Sequence, residues 1–252
     1  MSAERSGKDR VDLGHTKLRD DLATAVHALV NGEDEIELLD EPPARTALPF
    51  GRTIAHLDAI TLAVDVRQYC TITAELGPDT ALQMIKAFFV GAIDLVERRT
   101  GSVIDFNGDG MIVLFSGSDR MRRAFLASAE IRWFVNHVLR SAFAPHFARV
   151  GGHPGGIDQF DVGCGLAEGM LSIGRIGTDF ASDIVCVGEG VHAASRLCKL
   201  ARSPQGLAVT DVVRRGADDL QLHPPIRWES AGSTDVGGVA RTSFTTGFEW
   251  PC

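Results

Sequence analysis

Basic residues are in short supply in this 252-residue chain: 25 lysines and arginines stand against 33 aspartates and glutamates, for a formal net charge of -8. That balance argues against a general nucleic-acid binder, which draws on clustered Lys and Arg to neutralise phosphates. Long apolar runs are missing as well. None reaches the roughly 18 to 20 residues of a membrane span, and the opening M-S-A-E-R-S-G-K-D-R lacks the apolar core of a signal peptide. The expectation is a cytoplasmic protein with neither nucleic acid nor a membrane span among its partners. Cysteine is sparse: Cys70, Cys164, Cys186, Cys198 and Cys252 are odd in number, widely spaced and form no C-x-x-C pair. That excludes the usual disulfide framework and zinc spacing, leaving reduced thiols as the default. No internal repeat is visible, and the phosphate-binding G-x-x-x-x-G-K-[ST] loop is absent.

What is present is enough for a substantial core, since 44% of the residues are hydrophobic and the length fits one large or two small domains. Residues 16 to 31 place Leu18, Leu22, Val26, Leu29 and Val30 on one helical face, with Asn31-Gly32 as a stop. The acidic, proline-ended E-D-E-I-E-L-L-D-E-P-P that follows reads as a linker. Residues 1–55 are therefore expected to form an N-terminal helical arm, and 56–252 the main domain. The arm's apolar face needs a partner, either its own domain or another surface.

Within the main domain, I-T-L-A-V-D-V from residue 60 reads as a strand and 79 to 99 as a helix introduced by Pro78. Residues 104 to 115, I-D-F-N-G-D-G-M-I-V-L-F, read as a β-hairpin, because Asn-Gly and Asp-Gly tolerate the positive φ that tight hairpin loops require. A long helix is expected over 119 to 144, a loop over 153 to 158, and strands at F-D-V-G-C-G-L-A, M-L-S-I-G-R-I-G and D-I-V-C-V-G. The last runs into the helix G-V-H-A-A-S-R-L-C-K-L-A, and G-L-A-V-T with D-V-V-R-R-G-A adds a strand and a helix. The C-terminal G-G-V-A-R-T-S-F-T-T-G-F-E-W reads as a final strand. Mixed hairpins and helices favour an α+β sandwich, one sheet covered by helices, over a doubly wound parallel sheet.

Asp65 ends the first strand in an otherwise apolar run, where an ionised carboxylate is costly unless paired, liganded or at the sheet's rim. If the hairpin lies beside that strand, Asp109 at its turn comes near Asp65. Two carboxylates without His or Cys ligands suit a hard cation such as Mg²⁺ or Mn²⁺ bound together with phosphates, and the reaction class that follows is phosphoryl transfer.

Three segments in order, V-D-V-R-Q-Y-C from Val64, D-F-N-G-D-G from Asp105 and G-E-G-V-H-A-A-S-R-L from Gly188, resemble the motifs of class III nucleotide cyclases over about residues 57 to 215. The resemblance implies a ferredoxin-like, mostly antiparallel central sheet flanked by helices. It further implies a homodimer with active sites at the interface, two divalent cations, Mn²⁺ or Mg²⁺, and attack of the ribose 3′-hydroxyl on the α-phosphate. Asp65 and Asp109 match the metal-binding aspartates, the carbonyl of Val66 a backbone ligand, and Arg196 a transition-state arginine delivered from the partner chain. His192 stands where the family has a transition-state asparagine.

The base-reading positions depart from the purine pattern: Asp105 replaces the adenine-reading lysine, and Val185 stands where a purine contact is common. Tyr69 replaces the phenylalanine of the first motif. The V-D-V-R-Q-Y opening, the N-G-D-G hairpin and the D-I-V-C-V-G segment look most like the pyrimidine cyclases of Pycsar antiphage systems, where a larger polar ring at the Tyr69 position fills the space of a purine's second ring; Arg67 could help hold the triphosphate. The expected activity is conversion of UTP to cyclic UMP, a messenger read by a separate cyclic-nucleotide-sensing effector. Cytidylate cyclase, adenylate or guanylate cyclase with unusual base contacts, and a nucleotide-binding or interaction domain without turnover are the alternatives.

Overall fold

Two long strands organise the protein. In the computed structural model, which describes residues 4–44, 46–149, 160–236 and 239–252, β2 (Thr53–Val66) and β5 (Val162–Thr178) run antiparallel, in register from Ala55 opposite Ile173 to Val66 opposite Val162. The loop expected at 153 to 158 lies outside the described residues. In the first half of β2, buried residues alternate with more accessible ones; from Ala59 to Val64 every residue is buried. That second half is sandwiched between helices on both faces, which is why its sequence reads as a continuous apolar run.

The remaining elements follow in chain order: α1 (Glu4–Asn31), β1 (Glu35–Leu39), α2 (Tyr69–Leu76), α3 (Pro78–Arg98), β3 (Ser102–Asn107), β4 (Gly110–Phe115), α4 (Arg120–Phe134), α5 (Arg140–Arg149), β6 (Ala181–Val187), α6 (Glu189–Leu200), β7 (Leu207–Thr210), α7 (Asp211–Asp218), β8 (Glu229–Val236) and β9 (Val239–Thr246). Among the described residues, nine strands form one sheet of order β3-β4-β2-β5-β7-β9-β8, with β1 added to β2 and β6 to β5. Among these strands, β1–β2 and β5–β7 pair in parallel and the other pairs are antiparallel. The architecture is α+β, a mostly antiparallel central sheet flanked by helices, as expected.

Several boundaries differ from the sequence reading. The acidic segment read as a linker contributes β1, because Glu35-Ile36-Glu37-Leu38 alternates and its backbone completes the open edge of β2 beyond β4. F-D-V-G-C-G-L-A and M-L-S-I-G-R-I-G fall in one strand from Val162, since Glu168-Gly169 between them is spanned by continuous pairing with β2. The helix expected over 119 to 144 is interrupted by a wider turn at Val135–Leu139, and β8 pairs with the anticipated final strand.

The pleat divides the core. Even-numbered residues of β2, Ile60, Leu62, Val64 and Val66, pack with Phe88, Phe115 and Phe125 beneath α3 and α4. Burying each such side chain contributes roughly 1.5–3 kcal/mol. On the opposite face the side chains are small. Ala63, Ala167 and Ala208 meet Ala194, Leu197 and Cys198 of α6. At Gly165 a Cβ would stand 2.1 Å from the Ala194 carbonyl oxygen and 2.3 Å from the Cys198 nitrogen, so only glycine lets the helix settle this close.

Candidate active site

The turn between β3 and β4 explains why its second residue is an aspartate. Asn107 pairs with Gly110, leaving Gly108 (φ 63°) and Asp109 as a two-residue loop. The hairpin lies antiparallel to β2 with Gly110 opposite Asp65, and the Val66 N–H donates to the Asp109 carbonyl at 3.2 Å. A strand end and a hairpin tip thus hold two carboxylates side by side. Burial pushes the Asp65 carboxyl above its ordinary value and the negative charge of Asp109 adds to the effect, while Arg67 and then Lys199 pull it back. A carboxylate whose negative charge is reinforced by a second one nearby is a fitting place for a hard cation. Among the described residues, no group of three or more His, Cys, Asp or Glu side chains could hold a metal ion. A cation here would complete its shell with backbone oxygen, water and phosphate, as Mg²⁺ and Mn²⁺ commonly do.

Between Asp65 and α6 lies a cleft of about 250 Å³, lined by Asp65, Asp105 and Asn107 from the sheet side and by Val191, Ser195 and Lys199 from the helix, with Asp109 outside its lining. A second cavity of about 200 Å³ shares Asp105 and Val191 with it and is walled by Ile104, Ile184 and Val185. The two cavities adjoin at Asp105, Ile112 and Val191; the first carries Asp65, and the second joins its aliphatic walls to Asp183.

The other sequence-selected residues distribute around these cavities. Tyr69 opens α2, half-buried against the main core, and does not line either cavity. Arg67 donates to Asp65 Oδ2 at 2.9 Å and to the Ala201 carbonyl at 2.9 Å. His192 and Arg196, one position further round α6 than Val191 and Ser195, leave the cleft and face outward. Arg196 is 54% exposed and donates to the carbonyl of Asp235 on β8, with its Nη1 3.6 Å from that residue's carboxylate.

No family model matches the chain. It is 28% identical over 157 residues to the uncharacterized protein Rv1320c of Mycobacterium tuberculosis, covering 61% of this chain and 24% of that protein. It is also 26% identical over 147 residues to Rv1319c of the same organism, covering 56% and 24%. The chain thus spans about a quarter of the length of the curated relatives it matches. Among solved structures it superposes on a bacterial light-regulated adenylyl cyclase with a TM-score of 0.63 at 19% identity, over 78% of this chain and 53% of that one. On the adenylyl cyclase CyaB from P. aeruginosa the TM-score is 0.61 at 17% identity, over 77% and 95%. On the catalytic core of a rhodopsin-guanylyl cyclase with converted specificity, in complex with ATPalphaS, it is 0.61 at 14% identity, over 78% and 98%. The fold is that of class III nucleotide cyclase catalytic domains.

Within this cyclase fold, sequence reasoning passed over Ser195, Lys199, Asp183 and Cys186, all of which line the two cavities. Helical spacing would have found the first two, because Val191, Ser195, Cys198 and Lys199 share one face of α6. Asp183 and Cys186 join Asp105 around the second cavity only through tertiary structure, on a strand that pairs with β5. The thiols near the motifs are quiet: burial, with the charge of Asp105, pushes Cys186 up to about 12, and burial raises Cys198 as well.

Proposed function

We propose that this chain is a nucleotide cyclase that converts UTP to 3′,5′-cyclic UMP and diphosphate, a messenger of bacterial antiphage defence read by a separate effector. The observation that carries the cyclase reading is the Asp65 carboxylate in a cleft beneath α6 with Asp109 in the hairpin turn beside it, in the fold of class III cyclase catalytic domains. In this reading Asp65, Asp109 and the Val66 carbonyl hold two divalent cations, Mn²⁺ or Mg²⁺. When bound, these lower the pKa of the attacking 3′-hydroxyl and offset charge on the leaving diphosphate.

The outward direction of Arg196 supports a site shared between two copies. In its own chain it leans to Asp235 and away from the cleft, so a second copy supplies the guanidinium, whose planar donors suit several phosphate oxygens at once. His192, on the same exposed side of α6, donates a hydrogen bond in the same shared site. Asp105 supports a pyrimidine with an N–H to offer: the carboxylate accepts from uracil N3, while Val185 and Ile184 form an apolar wall. The part given to Tyr69 rests on the sequence resemblance alone.

The purine alternative is favoured by the names of the structural neighbours, which are adenylyl and guanylyl cyclases. One experiment separates the readings. Pure protein is incubated with UTP, CTP, ATP or GTP and Mn²⁺, with products identified by mass, beside Asp65→Ala. Cyclic UMP that vanishes in the variant is the expected result; cyclic AMP or GMP keeps the cyclase and removes the pyrimidine assignment, and no cyclic product removes both.

A further inference from the structure

Arg67 is the most firmly anchored cation of the site. Besides Asp65 and the Ala201 carbonyl, its guanidinium donates to the Cys198 carbonyl, so two of its three partners are backbone oxygens at the end of α6. Its Nε is buried without a partner among the described residues, and the side chain is 18% exposed. It reaches the helix by passing over Gly163 of β5, where a Cβ would stand 1.7 Å from Nη2. The negative end of the helix dipole holds a cation in that position. A charge so fixed and so little screened by solvent acts strongly on whatever binds at Asp65.

We propose that Arg67 is a positioning residue whose fixed charge makes the Asp65–Asp109 site discriminate against a free divalent cation and in favour of a cation that arrives bound to a nucleoside triphosphate. The inference rests on the reading of this site as a metal–nucleotide site. A bare dication is repelled by the guanidinium and must share Asp65 with it. A nucleoside triphosphate carrying one dication keeps a net negative charge, which the two carboxylates repel and Arg67 attracts. The same residue therefore weakens one ligand and strengthens the other, and it does so without touching phosphate. Held by the helix end, it also keeps Asp65 Oδ2 turned toward α6.

The test is calorimetric titration of metal-free protein with Mn²⁺ alone, and separately with the Mn²⁺ complexes of 3′-deoxy-UTP, -CTP, -ATP and -GTP, using the one that wild type binds tightest. Arg67→Gln removes the charge and keeps a donor for the Ala201 carbonyl. It is expected to bind Mn²⁺ alone about tenfold tighter and the Mn²⁺–nucleotide about tenfold weaker. Arg67→Lys, which keeps the charge, is expected to stay within about twofold of wild type for Mn²⁺ alone. Movement of both affinities in the same direction in Arg67→Gln overturns the proposal, as does an Arg67→Lys protein that behaves like the Gln variant. Wild-type protein that binds neither probe overturns the metal–nucleotide reading itself, and a far-UV spectrum matching wild type verifies that each variant is folded.

Discussion

Asp65 concentrates the conflict between stability and function. Its carboxyl is raised by burial and by Asp109, so in the metal-free protein the ionised form costs stability at neutral pH. The sign follows from linkage: with the folded value above the unfolded one, the cost is complete above the folded value and fades as pH falls through it toward the ordinary carboxylate range. Asp65→Asn without metal is therefore expected to melt higher than wild type at about pH 7.5, and the difference to shrink as the pH is lowered, measured by thermal denaturation. Added Mn²⁺ is expected to raise the melting temperature of wild type and not of the variant, while cyclase activity in the variant falls by at least about 100-fold. A wild-type protein that neither Mn²⁺ nor its complex with a nucleoside triphosphate stabilises would remove Asp65 as a ligand. The same residue was conspicuous in the sequence, since a carboxylate closing an apolar strand needs a reason. Arg67 was picked out too, but its anchoring was not legible: its sequence neighbours say nothing of the Cys198 and Ala201 carbonyls, more than 130 positions away, that hold it.

At the scale of elements, the site exists because α6 lies low on the sheet. Small residues at Ala63, Gly165, Ala167 and Ala208 make that possible, and the cleft is the gap left where the helix passes Asp65. Gly165→Val places branched atoms where even a Cβ would stand 2.1 Å from the Ala194 carbonyl oxygen. It is expected to cost about 1–3 kcal/mol in denaturant unfolding and to lower activity by lifting α6 away from the carboxylates. Unchanged activity in a destabilised variant would mean that the helix height is unimportant to the site. The hairpin was legible because Asn-Gly and Asp-Gly report local backbone geometry. The strand β1 was not, because its pairing with Thr53–Leu57 is a long-range decision and its glutamates read as solvent-facing charge.

For the whole molecule, the outward position of Arg196 makes a direct prediction about copies. If two sites form between two chains, each with metal ligands from one and Arg196 from the other, a chain with Asp65→Ala and a chain with Arg196→Ala complement each other. Each variant alone is expected to be inactive, and an equal mixture to recover about a quarter of wild-type activity by random pairing. A mixture as inactive as its parts would place the whole site in one chain. Activity in the wild type is likewise expected to fall more steeply than protein concentration on dilution.

By itself the sequence determined the class of the fold and most of its elements. Alternation, helical spacing and turn dipeptides are local consequences of backbone sterics, and the ordered motifs pointed to the same hairpin and helix that frame the recess. Residues 79–99 are realised as α3 and the hairpin as β3 and β4, with small shifts at the ends. Tertiary structure alone decided what those residues face. It turned Arg67 onto Asp65 and the end of α6, packed Tyr69 against the core, joined Asp105 and Val185 in one recess, and sent Arg196 outward. The physical reason is that periodicity specifies which side of an element a residue occupies, while strand register and helix height specify what lies across from it.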